Sequence, residues 1–414
     1  MSKHRLRVGI LATHPVQYYT PWYRELAKVV DLEVFFSHRQ SAEDQAAAGY
    51  GVSFDWDLPL LDGYRSRFLE NIAPRPDVNR FWGCVTPSVR RAIRSERFDS
   101  FIVHGWATYS YVQAITTCWW AHVPVLVRGD STLQMTRSDW RRWMKAPIYR
   151  WFIPRFDGYL VVGTRAKEYL LSYGADSDRC FDAPHSVDNE FFSRRCETLR
   201  RDRSAARAKF DLPPDTPAFL FVGRFIDRKE PLAFVRAVKM AAATSPNICG
   251  LMVGDGPLKA DAQALAASLH APIRFGGFLN QTEMPLAYAA CDALVVPSRW
   301  ETWGLVVNEA MACGLPAIVT DGVACAGDLV VPGVTGDVVP VHDIEALADR
   351  MAQLGGDLSY RSLLARNAHR HVTNFTPRAA VEGTLRALEY VCERRPSRSR
   401  PRPTTLDAMS DGLR

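Results

Sequence analysis

Short apolar runs alternate with stretches of helical spacing along most of the chain. Residues 7–12, 32–36, 100–104, 123–127 and 158–162 have the length and composition of buried strands, and residues 19–29 and 109–121 carry helical periodicity between them. A charged, helix-like segment over 194–210 ends at Leu212-Pro213-Pro214, a connection between two units. A second alternating series follows, with apolar runs at 218–222, 250–253, 273–275, 293–296 and 317–319. Strands alternating with helices predict parallel sheets covered on both faces. The expected fold class is therefore α/β, with two Rossmann-like domains facing each other across a cleft. The expected divisions are 1–190 for the first domain, 191–215 for a linker and 216–375 for the second domain. Residues 376–395 are expected to form a helix crossing back to the first domain. The tail 396–414, rich in Pro, Arg and Ser, is expected to be disordered because it has nothing to pack.

Composition narrows the picture. At 414 residues, two domains are the natural expectation. No run of eighteen apolar residues exists, and the apolar run after the first charged residues stops at His14-Pro15, so it reads as a first strand and not as a secretion signal. Nine cysteines, scattered and without a CxxC pair, fit reduced thiols in a cytoplasm better than a disulfide framework or a zinc site. The net charge of +6 is mild for this length and excludes nothing.

The chemistry concentrates in the second half. Ser298-Arg-Trp-Glu301-Thr-Trp303-Gly304-Leu305 begins where a valine-rich strand ends and leads into a helix that carries Glu309. Backbone N–H groups of Trp303, Gly304 and Leu305 at that helix start suit an oxyanion or a sugar hydroxyl. Arg224 and Lys229 stand in a strand-to-helix turn, where a guanidinium and an ammonium together suit a diphosphate. Gly254-Asp255-Gly256-Pro257 gives a glycine-lined turn, and Gly276-Gly277-Phe278-Leu279 a loop whose backbone can approach a base edge. Singly, each feature reads as an ordinary turn or a solvated loop.

Together they resemble the donor half of the family 4 retaining glycosyltransferases (glycosyl transferases group 1), which have the GT-B fold. Glu301 and Glu309 match that family's Glu-x7-Glu motif, followed by EAMACGLP. Arg224 and Lys229 match its GR…K element, and the GDGP turn and a glycine pair at Gly333 and Gly336 complete the set, over roughly 218–340. The resemblance implies that Glu309 binds ribose, that Glu301 binds the donor sugar's hydroxyls, and that Arg224 and Lys229 neutralise the departing diphosphate. It implies a nucleoside-diphosphate sugar as co-substrate, no metal or other cofactor, and retention of anomeric configuration. In the first half, residues 98–104 resemble the strand that ends in a sugar-contacting histidine, which makes His104 the catalytic candidate there. The family's glycine-rich first loop is replaced by Thr13-His14-Pro15-Val16-Gln17-Tyr18-Tyr19, so His14 and Gln17 become candidate substitutes. Arg128 and Asp130 follow another strand and are expected at the cleft.

Asp55-Trp56-Asp57 spells a metal-binding DxD, but such triplets are frequent by chance, Asp176-Ser177-Asp178 being a second one, and Asp55 lies in an irregular stretch ahead of Pro59 without a nucleotide-binding strand close by, so the metal reading is disfavoured. Between Arg137 and Phe152, Trp140, Trp143, Met144, Ile148, Trp151 and Phe152 recur at helical spacing among Arg141, Arg142 and Lys145. That pattern fits peripheral contact with the inner face of a membrane, and it fits a core-facing helix with a basic outer side, which is the commoner arrangement. A GT-B-fold epimerase and a non-catalytic nucleotide-sugar-binding protein are the alternative functions. A nucleic-acid partner is not expected, because it needs a concentrated basic stripe with aromatic platforms and only the stretch Arg137 to Arg150 hints at one. The donor base, the sugar, the acceptor and the oligomeric state leave no signature.

Overall fold

A computed structural model describes residues 5–46, 51–135, 139–245 and 247–394. The expected tail over 396–414 and Arg137 lie outside the described residues. Seven parallel strands form the first sheet, in the order β3-β2-β1-β4-β5-β6-β7. They are β1 (Arg7–Ala12), β2 (Asp31–Phe36), β3 (Arg65–Phe68), β4 (Ser100–Val103), β5 (Val125–Gly129), β6 (Gly158–Val161) and β7 (Cys180–Asp182). The second sheet has six parallel strands in the order β10-β9-β8-β11-β12-β13. These are β8 (Ala218–Val222), β9 (Cys249–Val253), β10 (Ile273–Gly277), β11 (Ala293–Val296), β12 (Ala317–Thr320) and β13 (Gly336–Val339). Central strands such as β1, β4, β8 and β11 are almost wholly buried, because helices cover both faces and only apolar side chains fit between them.

Strand order reverses between β1 and β4 in one sheet and between β8 and β11 in the other. Loops leaving the strands on either side of such a point diverge and open a crevice beyond the strands' carboxyl ends. The chain therefore offers two crevices, one per sheet, built by the loops that carry the candidate chemistry.

Two segments differ from the expected organisation. The expected linker is two helices, Asn189–Arg200 and Arg203–Ala208, whose Phe192, Cys196 and Ala206 join Phe210 and Leu212 in the core beneath β8, β9 and β11. Most of their charge faces outward, but Arg207 is buried and donates to the Pro213 carbonyl at 2.9 Å and the Ala290 carbonyl at 3.0 Å. The helix Asp139–Phe152 runs unbroken through Pro147 and packs inward by Ala146, Tyr149 and Phe152. It turns Trp140, Trp143, Met144, Ile148 and Trp151 outward, the reverse of a core-facing helix. The last helix, Pro377–Glu393, returns to the first sheet, where Ala380, Val381, Ala387, Leu388 and Val391 pack with Val8, Ile10, Trp22 and Leu26. Among the described residues, no helix is long and apolar enough to cross a membrane.

Candidate functional site

A cavity of about 300 Å³ lies over the crevice of the second sheet. Its floor is the loop after β8, which carries Gly223, Arg224, Arg228 and Lys229. Gly254 must be glycine: its φ is +134°, and a Cβ would stand 2.0 Å from the Gly223 carbonyl oxygen. The loops after β8 and β9 thus lock together backbone to backbone. Phe278 and Leu279, after β10, close one end. Gly256 does not line the cavity; it packs against the Phe225 backbone and shapes the turn.

Lys229 is fixed from below. Asp227–Lys229 forms one turn of 3-10 helix, and Arg299 from the loop after β11 grips it through Asp227 at 2.7 Å and through Glu230. Lys229 then pairs directly with Glu301, which also accepts from Ser298 Oγ at 2.8 Å and from Arg228 at 3.3 Å. Arg228 stacks over the Trp300 ring at 4.5 Å. Burial pushes the Glu301 carboxyl upward, but Lys229 and Arg228 outweigh it and hold it below its ordinary range. Burial lowers the Lys229 ammonium, opposed by Glu301. Arg224 lines the same cavity.

Glu309 lies on the helix Leu305–Ala312, behind Gly304, whose φ of +102° turns the chain from loop to helix. The Trp303 indole is buried and donates to Asn308 Oδ1 at 2.8 Å, so Trp303 meets the cavity as part of its wall. Gly304 and Leu305 line it at the helix start. Tyr288 donates to Glu309 at 2.6 Å and Gln281 at 3.1 Å, with a further hydrogen bond from Tyr18 of the first half. Burial raises the Glu309 carboxyl to about 7, and those three hydrogen bonds only partly offset it. The two glutamates are thus unlike: Glu301 is an ion-paired carboxylate, and Glu309 titrates near neutrality.

From the first half, Val16, Tyr18 and Tyr19 reach this cavity. His14 and Gln17 do not. His14 turns aside to Thr13 Oγ1 at 3.0 Å and the His38 side, and burial lowers its imidazole to about 4. Gln17 is buried in a separate small cleft beside Thr20 and Leu60. A one-residue step along a tight turn exchanges which side chain faces inward, so the loop supplies tyrosines where His14 and Gln17 were expected.

A second cavity of about 650 Å³ opens over the first sheet, and Tyr19 and Asp130 line both cavities. His104 lies in this second one, buried among Tyr19, Trp22 and Tyr23, with Nε2 3.0 Å from the Tyr23 hydroxyl. Its Nδ1 is buried without a hydrogen-bond partner among the described residues. Burial, aided by Arg128, lowers the imidazole to about 3, so it is neutral at physiological pH. Arg128 lines the second cavity but spends its guanidinium on the Ala183 carbonyl, the Pro184 carbonyl at 3.3 Å and the Trp22 ring. Asp130 stands at the junction, where burial pushes its carboxyl upward but His185, with Nε2 3.9 Å away, and Thr302 outweigh it and hold it below its ordinary range. Tyr18, Tyr19, His185, Arg228, Gln281 and Tyr288 are functional candidates the sequence did not single out. Only Arg228 left a signal, as a third cation beside Lys229.

The DxD-like Asp55 and Asp57 sit at the seam between the halves. Asp57 accepts from the Thr282 hydroxyl and from its N–H at 3.1 Å, and the Asp55 carbonyl accepts from Asn280 at 2.8 Å. Trp56 between them lines the first cavity. Asp176 caps the short turn Ser177–Arg179.

Residues 202–371 match the family model described as Glycosyl transferases group 1, and residues 22–191 match that described as Glycosyltransferase Family 4. The chain is 32% identical over 244 residues to a D-inositol 3-phosphate glycosyltransferase of Salinispora tropica, covering 56% of this chain and 50% of the relative. It is 31% identical over 250 residues to the protein of that name from Xylanimonas cellulosilytica, covering 58% of each. The chain thus spans about half the length of the curated relatives it matches. Among solved structures, a glycosyltransferase from Rickettsia africae aligns with a TM-score of 0.72 at 15% identity, over 95% of this chain and 100% of that one. Anabaena HepE in complex with UDP and glucose aligns with a TM-score of 0.67 at 15% identity, over 93% and 100%. At such identities the likeness is one of fold, with two Rossmann-like domains in the GT-B arrangement.

Proposed function

The chain belongs to the family 4, group 1 glycosyltransferases, and we propose that it moves a sugar from a nucleoside-diphosphate sugar to an acceptor, with retention and without a metal ion. One observation carries this reading: Arg224, Lys229, Glu301 and Glu309 converge on one cavity beside a helix start, at the switch point of a parallel sheet. The base lies against Phe278 and Leu279, and the ribose hydroxyls donate to Glu309. The diphosphate meets Arg224, Lys229 and the backbone at Gly304 and Leu305. The donor sugar reaches Glu301, and the acceptor enters through the second cavity, past His104.

In this reading the bond from the anomeric carbon to the diphosphate breaks as the acceptor oxygen bonds on the same face. The acceptor's proton passes to the departing phosphate oxygen. Cations already held in place stabilise the growing negative charge, and each such donor is worth about 10²–10³ in rate. His104, neutral at physiological pH, serves as a hydrogen-bonding group for a hydroxyl through Nδ1 and not as a proton acceptor. Asp130, at the junction, orients the acceptor hydroxyl. Nine free cysteines favour a reducing compartment, and we place the enzyme in the cytoplasm.

Calorimetry with a panel of nucleoside diphosphates, UDP first, followed by donor hydrolysis and transfer assays on an acceptor panel, tests the reading. A diphosphate that binds and a donor that turns over are expected. A folded protein that binds no nucleoside diphosphate overturns it, and binding without hydrolysis or transfer reduces it to a nucleotide-sugar-binding role.

A further inference from the structure

The helix Asp139–Phe152 is turned inside out relative to an ordinary surface helix. Ala146, Tyr149 and Phe152 pack against the core of the first sheet. On the opposite side, Trp143 is 78% exposed, Ile148 63%, Trp140 58%, Trp151 55% and Met144 51%. At about 100° per residue these five, with Pro147, fall within an arc of roughly 140°, centred directly opposite the packing face. Burial of the apolar face cannot explain their composition, since they face away from the protein. Exposed apolar patches of this kind mark a contact surface.

The flanks identify the partner. Lys145 stands beyond one edge of the arc and Arg150 beyond the other, and both are exposed. Long cationic side chains bordering a tryptophan-rich stripe suit the headgroup layer of an anionic membrane, where the rings sink to the acyl boundary and the charges reach phosphates. The stripe also borders the second cavity: Ile148 lies on both, and Lys145 lines that cavity's mouth with Phe81. Phe81 is half-exposed, and the adjoining Trp82 stands out into solvent. The apolar rim therefore surrounds the route by which an acceptor enters.

We propose that the outward face of Asp139–Phe152 lies in the interface of an anionic bilayer, and that it presents the second cavity to an acceptor carried on a lipid. The membrane contact stands independently of the donor-site reading; only its use in feeding an acceptor rests on that reading.

Co-sedimentation of the full chain with phosphatidylcholine vesicles, with and without phosphatidylglycerol, tests it, with tryptophan emission followed in parallel. The wild type is expected to sediment with the anionic vesicles and to shift its emission to the blue. A Trp140→Ser/Trp143→Ser/Met144→Ser variant should partition at least about tenfold less, with unchanged thermal unfolding and unchanged UDP binding. Arg150→Glu should weaken binding to anionic vesicles alone. A wild type that stays in the supernatant with anionic vesicles overturns the proposal. So does a concentration-dependent dimer that the triple variant abolishes, which would make the face an interface between copies. A wild type that binds none of the nucleoside diphosphates would instead sink the donor-site reading and leave the vesicle result standing.

Discussion

Glu309 accepts from Tyr288, Gln281 and Tyr18, and a carboxylate offers about four acceptor sites, so ribose can take the remaining site or displace Tyr18. A hydroxyl donating to it favours the ionised form, whereas burial raises the free carboxyl to about 7. Nucleotide binding should therefore release a proton and strengthen by about tenfold from pH 6 to pH 8. Calorimetry in buffers of different ionisation enthalpy reads both effects. Glu309→Gln should flatten the difference from wild type, and that comparison cancels the diphosphate's own ionisation. An unchanged pH dependence in Glu309→Gln removes ribose from this residue. The stability side has a definite sign. A folded value above the unfolded one means that Glu309 contributes stability fully below the ordinary carboxylate range and loses it as pH rises through about 7. Glu301 and Lys229 form a single unit. Glu301→Gln removes the carboxylate that Lys229 and Arg228 both pair with, so UDP should bind at least as tightly while turnover falls by about 10². Lys229→Met should weaken UDP and destabilise the fold, by less than the ~3–5 kcal/mol of a broken buried pair, since Arg228 and Ser298 still serve Glu301. Adding Glu301→Gln to Lys229→Met should restore stability but not turnover. Chemical denaturation and steady-state kinetics on the three variants decide it, and weaker UDP binding in Glu301→Gln contradicts the pairing.

Among elements, the last helix carries the clearest local test. A Cβ at Gly383 would stand 1.7 Å from the Asp182 carbonyl oxygen, so the helix backbone lies directly on β7. Gly383→Ala gains ~1 kcal/mol of helix propensity but must push the helix off its seat, at ~1–3 kcal/mol. The clash is with rigid backbone, so the loss should win and stability should fall by about 1–2 kcal/mol. Gly356→Ala, at the end of another helix with nothing within 4 Å, should be neutral or slightly stabilising. Thermal melts that rank the two the other way contradict the docking. Legibility in the sequence follows the same physics. Strands β1, β8 and β11 could be read to the residue because both faces are covered and the apolar run is unbroken. The strands that could not be read, β3, β7 and β13, all lie at sheet edges. Arg65 and Arg67 of β3 pair with Asp31, Glu33 and Glu96, so that strand has the polarity of a loop. In the site, Glu301, Glu309, Arg224 and Lys229 were legible because their spacing is local. Tyr18, His185 and Tyr288 were not, since only the meeting of distant strands gives them a task. Likewise the stripe over Trp140–Trp151 was visible as a period, but a period does not say which way it faces.

At the scale of the molecule, the halves hold each other around the first cavity. Thr164 binds Asp328 through its N–H at 2.8 Å and its hydroxyl at 2.6 Å, and Arg165 reaches the Asp321 carbonyl at 2.7 Å. Asp57 accepts from Thr282 on the cavity's other flank. The charge balance inside bears on the metal. Arg224, Arg228 and Lys229 gather on the loop after β8 and line the cavity together with the carboxylates Glu301 and Asp130, both held below the ordinary range. We propose that these three clustered cations, and not a cation from solution, meet the diphosphate. Activity should therefore survive excess chelator. Asp57→Ala should loosen the seam and raise the donor's KM, with kcat changed little, because Asp57 holds Thr282 and touches no phosphate. A metal-dependent enzyme would behave in the opposite way: chelation would abolish turnover, magnesium or manganese would restore it, and Asp57→Ala would lower kcat sharply. Steady-state kinetics with and without chelator, on wild type and Asp57→Ala, separate the two. Recovery by added metal after chelation would return Asp55 and Asp57 to the reaction and displace the cationic loop as the sole counter-charge of the departing diphosphate.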